Sequence, residues 1–175
     1  MPSFGAEESC VQYPLIGYVT EPKIGWTFVT KEAAVERRGG QEGSFFYDLL
    51  GDKLLALNRG ILDKERVARI MQRMQNVRPS IEGNAVILSF LRGEQTIYHP
   101  TQNRELNFDV IDFKNLDNND FEVTCEWSYS NGKHTNRADI VFLINGVPVI
   151  VVETKAAHKL DGVAEGMDQI RRYHR

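Results

Sequence analysis

The sequence predicts a mixed α/β (α+β) domain, a central sheet flanked by helices, and three observations carry that reading. Apolar residues recur at helical spacing before Gly93, β-rich segments separated by Asn, Asp and Gly follow it, and a helical pattern returns after Asp161. No internal repeat, low-complexity tract or Pro/Ser-rich linker interrupts the chain. One folding unit over residues 1–175 is therefore expected, helical over 1–93 and strand-rich over 94–175.

In the first half, Phe46, Leu49, Leu50, Lys53, Leu54 and Leu57 share a helical period that stops at Asn58-Arg59-Gly60. Asp63 is placed to cap the next helix, with Leu62 and Val67 as a hydrophobic staple and Val67, Ile70, Met71 and Met74 as its apolar stripe. Pro79 ends that helix, and Asn84–Arg92 reads as another short one. These stripes are core, because amphipathic helices bury their apolar face. Beyond Gln95 come the segments QTIYH, LNFDVIDF, FEVTCEWSY, ADIVFLI and VPVIVVETK, joined by turn-forming NLDNND, SNGKH and NG. Asn145-Gly146 between two apolar runs is a hairpin signal. Asp161 then opens a helix with Val163, Met167 and Ile170 on one side.

Composition narrows the function. At 175 residues, 42% hydrophobic and 26% charged, the chain is neither disordered nor fibrous. No apolar run approaches the roughly 18 to 20 residues a membrane helix needs, and MPSFGAEESC lacks the order of a signal peptide, so a cytoplasmic protein without membrane contact is expected. Cys10 and Cys125 match neither a disulfide framework nor a zinc spacing, and the four histidines are scattered. No phosphate loop, serine elbow or dinucleotide fingerprint occurs, which turns the search to carboxylates. A net charge of -3 argues against a surface that seeks nucleic acid throughout. The charge is unevenly placed, however: Leu106–Trp127 holds six acids against one Lys, whereas Lys155–Arg175 holds five Lys or Arg against three acids.

The most informative segment is RADIVFLINGVPVIVVETKAA. Asp139 stands near the start of one run of the hairpin, Glu153 and Lys155 at the end of the other, and residues two apart on a strand face one side. Charged groups at the ends of such apolar strands are costly to bury unless paired or bound to a cation. Asp and Glu oxygens suit Mg²⁺ or Mn²⁺, and a nearby Lys can orient the attacking water and offset developing charge, which together make a hydrolytic phosphodiesterase arrangement. The triplet ExK alone is uninformative, since it arises by chance in roughly half of chains this long. Glu21-Pro22-Lys23 is a second copy with no hairpin partner. A solvent-facing Glu153–Lys155 ion pair with Asp139 as a turn residue stays open as the alternative. A two-residue turn would set Asp139 opposite Val152, so a shared cation predicts a longer turn, a bulge near Pro148 or a bend before Asp139. Gln169 and Tyr173 lie four apart on the last helix and can aim at one point, among Arg171, Arg172, His174 and Arg175. A solvated basic helix end is the competing account of that cluster.

These residues, with EESCVQYPLIGY, LLALNRGI, RPSIEGN, LRG, IDFKNLDNNDFEVTCEW and DQIRRYHR, resemble the N-terminal nuclease domain of the restriction subunit (HsdR) of type I restriction-modification enzymes, members of the PD-(D/E)xK superfamily. The resemblance covers nearly the whole chain and implies a PD-(D/E)xK restriction-endonuclease-like core. It implies Asp139 and Glu153 as metal ligands with the Thr154 carbonyl, Lys155 as the catalytic lysine, and Gln169 and Tyr173 as the QxxxY element that contacts DNA or orients the lysine. Glu8 matches the acid such nucleases place on their first helix near the metal. The motif's Pro is Ala138 here, a change that touches a backbone turn and removes no ligand.

The function so implied is Mg²⁺-dependent hydrolysis (Mn²⁺ being the alternative ion) of phosphodiester bonds in double-stranded DNA. The implied partners are the methyltransferase (M) and specificity (S) subunits. ATP would serve only a motor domain that this sequence lacks, so the chain reads as a fragment of a larger subunit. The competing function is a non-catalytic module of the same fold that docks on DNA or on a partner subunit.

Overall fold

A computed structural model describes residues 8–130, 132, 135–156 and 161–172. In chain order the elements are a π-helical turn Glu8–Gln12, α1 Tyr13–Val19, β1 Thr27–Val29, α2 Lys31–Arg37, α3 Tyr47–Leu57, α4 Lys64–Gln75, α5 Ile81–Leu91, β2 Thr96–His99, β3 Arg104–Asn107, a 3₁₀ turn Leu116–Asn118, β4 Phe121–Ser130, β5 Thr135–Ile144, β6 Val147–Val152 and α6 Gly162–Arg172. The fold is mixed α/β, as the sequence predicts, with a four-stranded sheet and a two-stranded one. The chain divides into two compact units: residues 1–44, 121–143 and 148–175 form a sheet unit, and 45–120 with 144–147 a helical unit. The switch from helix to strand near Gly93 falls between α5 and β2, inside the helical unit.

The sheet unit carries strands in the order β1-β4-β5-β6. β1 runs parallel to β4, with Thr27, Phe28 and Val29 paired to Glu122, Val123 and Thr124. This strand falls in the half expected to be helical, and three residues are too few to show a period. Ile16 and Val19 of α1 meet Val123, Ile140 and Phe142 in the core, beside Trp26, whose ring stands edge-on to Phe121 and Phe142. α2 is capped by the Thr30 hydroxyl, which accepts the Ala33 N–H at 3.3 Å. After α2, the fully buried Arg38 donates to the carbonyls of Ala34, Gly43 and Ser128 and lies 3.8 Å over the Trp127 ring.

The helical unit follows the predicted stripes closely. Leu50 and Leu54 of α3, Val67, Ile70 and Met74 of α4 and Phe90 of α5 are buried in one cluster with Ile97, Phe108, Val110 and Val147. Asp63 caps α4, its carboxylate accepting the Arg66 N–H at 2.8 Å. Asn58 ends α3 by donating to Leu54 O while binding both backbone groups of Asp109. α5 begins at Ile81 rather than at Asn84, because Ser80 supplies the cap, accepting from Gly83 N at 3.1 Å.

Two expectations about the strands need correcting. QTIYH and the start of LNFDVIDF pair with each other as an antiparallel hairpin, Thr96 to Asn107 and His99 to Arg104, and form a sheet of their own. From Phe108 to Asp120 the chain is not strand. Its polar side chains take over the backbone bonds: Asp112 accepts from Lys114 N and Asn115 N, and Asn119 both accepts from Asp112 N and donates to Asp112 O. The second correction concerns the hairpin. Asn145 (φ 52°) and Gly146 (φ 81°) form a two-residue turn of the positive-φ kind that hairpins favour, and β5 and β6 run unbroken to either side. The turn is not the longer one that a shifted register would need. The chain instead leaves the sheet after Val152.

Candidate active site

In the sheet unit, a cleft of about 390 Å³ is lined by Glu8, Gln12, Glu126, Arg137, Asp139, Lys155 and Gln169. Four of the residues singled out in the sequence, Asp139, Lys155, Gln169 and Glu8, thus meet at one place. Asp139 sits midway along β5 and is only 4% exposed. Its Oδ2 accepts the Thr154 backbone N–H at 2.7 Å and the Thr154 hydroxyl at 3.0 Å. The residue that meets Asp139 is therefore Thr154, one beyond Glu153: the two-residue turn sets Asp139 opposite Val152, and Thr154, two residues further, lies on the same side. Glu153 is half-buried and is not part of the cleft lining.

Lys155 is held by acceptors on two sides: its Nζ donates to Thr154 O at 2.7 Å and to Gln169 Oε1 at 2.9 Å. Gln169 comes from α6, whose Gly166 is the residue buried on the same side one turn earlier. Tyr173, His174 and Arg175 lie outside the described residues. Thr154 thus serves twice, its N–H and hydroxyl binding the acid and its carbonyl binding the lysine.

Three lining residues escaped the sequence reading. Gln12 stands four residues after Glu8, and the wide π-helical turn brings both to the cleft. Its Nε2 donates to Thr154 Oγ1 at 3.2 Å, and the side chain is only 4% exposed. Glu126 and Arg137 form an ion pair at 2.8 Å beside Asp139. Burial pushes the Glu126 carboxyl above its ordinary range, opposed by Arg137 and reinforced by the negative charges of Asp139 and Glu8. Glu126 also adopts φ 53°, a left-handed backbone that costs a non-glycine residue about 1–2 kcal/mol. The available signal was Glu126 in a β-rich segment, together with an arginine two residues before Asp139.

Among the described residues, no three His, Cys, Asp or Glu side chains gather closely enough to hold an ion by themselves. Among the described residues, that geometry is not a cage of carboxylate, imidazole or thiolate ligands. It still fits Mg²⁺, which keeps several waters and takes one or two carboxylates plus substrate phosphate oxygens. The donors present are hard oxygens, with Asp139 oriented by two hydrogen bonds toward a cleft that Glu8 and Glu126 also line. No helix among the described residues is long and apolar enough to cross a membrane.

Comparison with known proteins agrees with the resemblance in the sequence. A Methanocaldococcus jannaschii protein that carries the name of a type I restriction enzyme MjaVIIP endonuclease subunit is 44% identical over 68 residues, which make up 39% of this chain and 6% of that protein. The chain therefore matches a small fraction of that relative's length. The family described as "Type I restriction enzyme R protein N terminus" matches residues 7–175, which includes every residue lining the cleft. The chain belongs to the family of type I restriction enzyme R protein N-terminal domains.

Proposed function

We propose that this chain is the endonuclease domain of a type I restriction enzyme R subunit, hydrolysing phosphodiester bonds of double-stranded DNA with Mg²⁺, and that Mn²⁺ can replace it. The observation that carries the reading is the convergence of Asp139, Lys155 and Gln169 on one cleft, the acid oriented by Thr154 and the lysine by Gln169. Asp139 would hold the ion together with the Thr154 carbonyl, in a cleft that Glu8 and Glu126 also line. Glu153 is the second acid by its place in the family pattern rather than by cleft geometry. A divalent ion in this cleft would polarise the phosphate and lower the pKa of a bound water.

The chain's own residues then do the rest. Lys155 holds the attacking water with Nζ and offsets charge that builds on the phosphate oxygens, while Gln169 keeps that Nζ from swinging away. Water adds to phosphorus, one ester P–O bond breaks, and the water's proton leaves through the polar lining of the cleft. The basic residues of α6, Arg171 and Arg172, are exposed and available to DNA phosphates, with Tyr173 next in sequence. In the whole enzyme, M and S subunits would choose the site and an ATP-driven motor would deliver the DNA.

The test is cleavage by the reconstituted enzyme carrying Asp139→Ala or Lys155→Ala. Loss of cleavage by each supports the assignment, and undiminished cleavage by both refutes it. The docking-module reading draws on the position of Glu153 off the cleft lining. It predicts that these substitutions weaken assembly or DNA binding and leave cleavage per bound complex unchanged.

A further inference from the structure

We propose that Gln12 is a positioning residue that orients the cation-binding oxygen of Asp139 by acting through the Thr154 hydroxyl. The inference rests on the reading of Asp139 as a cation ligand. Asp139 Oδ2 receives two donors from Thr154, the backbone N–H and Oγ1, which turns that oxygen inward and leaves Oδ1 as the one available in the cleft. The Thr154 hydroxyl has a single proton. It can donate to Asp139 reliably only if its other partner is itself a donor.

Gln12 Nε2 meets that need at 3.2 Å. Each member of the chain is at least nine-tenths buried: Gln12 and Asp139 are 4% exposed and Thr154 is 5% exposed. Thr154 does not line the cleft, so water has little access to replace the partners of its hydroxyl. The donor direction runs from the amide through the hydroxyl to the carboxylate. Exchanging the amide oxygen for its nitrogen would turn the hydroxyl proton toward Gln12 and away from Asp139. The π-helical turn explains the placement, because it brings Gln12 inward on the same side as Glu8.

The experiment is calorimetric titration of the chain with Mn²⁺. The set is wild type, Gln12→Met, Thr154→Val, Thr154→Ser, the Gln12→Met/Thr154→Val double variant and Asp139→Asn, each checked for folding by circular dichroism. Outer-shell partners of metal ligands typically change affinity 10–100-fold, so Thr154→Val is expected to weaken Mn²⁺ within that range and Gln12→Met by about tenfold. Thr154→Ser should restore wild-type affinity, and the double variant should be no weaker than Thr154→Val. Should Gln12→Met not fold, Gln12→Glu replaces it. A carboxylate there accepts the hydroxyl proton, so the relay predicts weaker binding where added negative charge alone would tighten it.

Wild-type affinity in Gln12→Met, or additive losses in the double variant, would overturn the relay. If Asp139→Asn loses Mn²⁺ while Gln12→Met does not, the relay fails and the cation site stands. If Asp139→Asn binds as wild type does, or wild type binds no Mn²⁺, the cation site fails and takes the relay with it.

Discussion

Asn145 is expected to be the costliest polar residue to remove from the helical unit. It is fully buried, and its side chain makes three bonds: Nδ2 donates to Val110 O and to Asn119 Oδ1, both at 2.8 Å, and Oδ1 accepts from Asp120 N at 2.8 Å. Its own N–H donates to Asp120 O. Asn145→Ala would take the side-chain partner from Val110 O and from the Asp120 N–H, at about 1–3 kcal/mol each, while Asn119 Oδ1 keeps the Asp112 N–H. The residue also sits at φ 52°, which asparagine tolerates and alanine resists by about 1–2 kcal/mol. The loss should reach roughly 3–8 kcal/mol, a large part of the roughly 5–15 kcal/mol that stabilises a typical domain. Asn145→Gly keeps the backbone conformation and loses only the bonds, so it should recover about 1 kcal/mol relative to Ala. Urea unfolding of the three proteins measures this directly. An alanine variant within about 1 kcal/mol of wild type, or a glycine variant less stable than the alanine one, would refute the reasoning.

Further predictions concern the rest of the framework. Arg38→Lys keeps the charge but cannot span three carbonyls or stack flat on Trp127, so it should cost about 2 kcal/mol or more in thermal unfolding, and a change below about 0.5 kcal/mol would contradict that role. The Arg66 N–H holds the Asp63 carboxyl below its ordinary range, outweighing a small opposing effect of desolvation, and the Arg66 charge adds to it. A depressed carboxyl stabilises the fold above its unfolded value, near about 3.9, and that contribution is lost as pH falls through the folded value. The melting-temperature gap between wild type and Asp63→Ala should therefore be full at neutral pH and shrink in acid. A gap that holds constant into strong acid would contradict the cap. Gly146→Ala should destabilise sharply, because a Cβ there would lie 2.7 Å from Phe46 O at a backbone φ of 81°. Unchanged urea unfolding would argue against that close approach.

Much of the fold was legible where local chemistry and tertiary packing agree. The stripe Val67, Ile70 and Met74 with its Asp63 cap, and the Asn145-Gly146 turn, were read correctly because periodicity and backbone preference point the same way there. Phe108–Phe113 was misread because alternation of apolar and polar residues mimics a strand, while the Asp112 and Asn119 side chains claim backbone groups a strand would need; NLDNND was read correctly as a connector. β1 was invisible at three residues, since its partner β4 lies about ninety positions away in sequence. At the cleft, Asp139, Lys155, Gln169 and Glu8 were legible from motif spacing and family resemblance. Thr154 as the residue that meets Asp139 was passed over, because the shared-cation expectation requires a shifted register that would bring Glu153 there, whereas the two-residue turn favours Val152 and, two residues on, Thr154. Gln12 and Glu126 reach the cleft through a π-helical turn and a left-handed residue, and neither leaves a periodic trace.

The most direct test of the central claim is cleavage per bound complex by the reconstituted enzyme with Asp139→Asn or Lys155→Met, measured on double-stranded DNA beside DNA binding by the same preparations. The account predicts that binding and assembly persist while cleavage falls by at least about a hundredfold for each. Wild-type cleavage by either variant, in a complex that binds DNA normally, would contradict it.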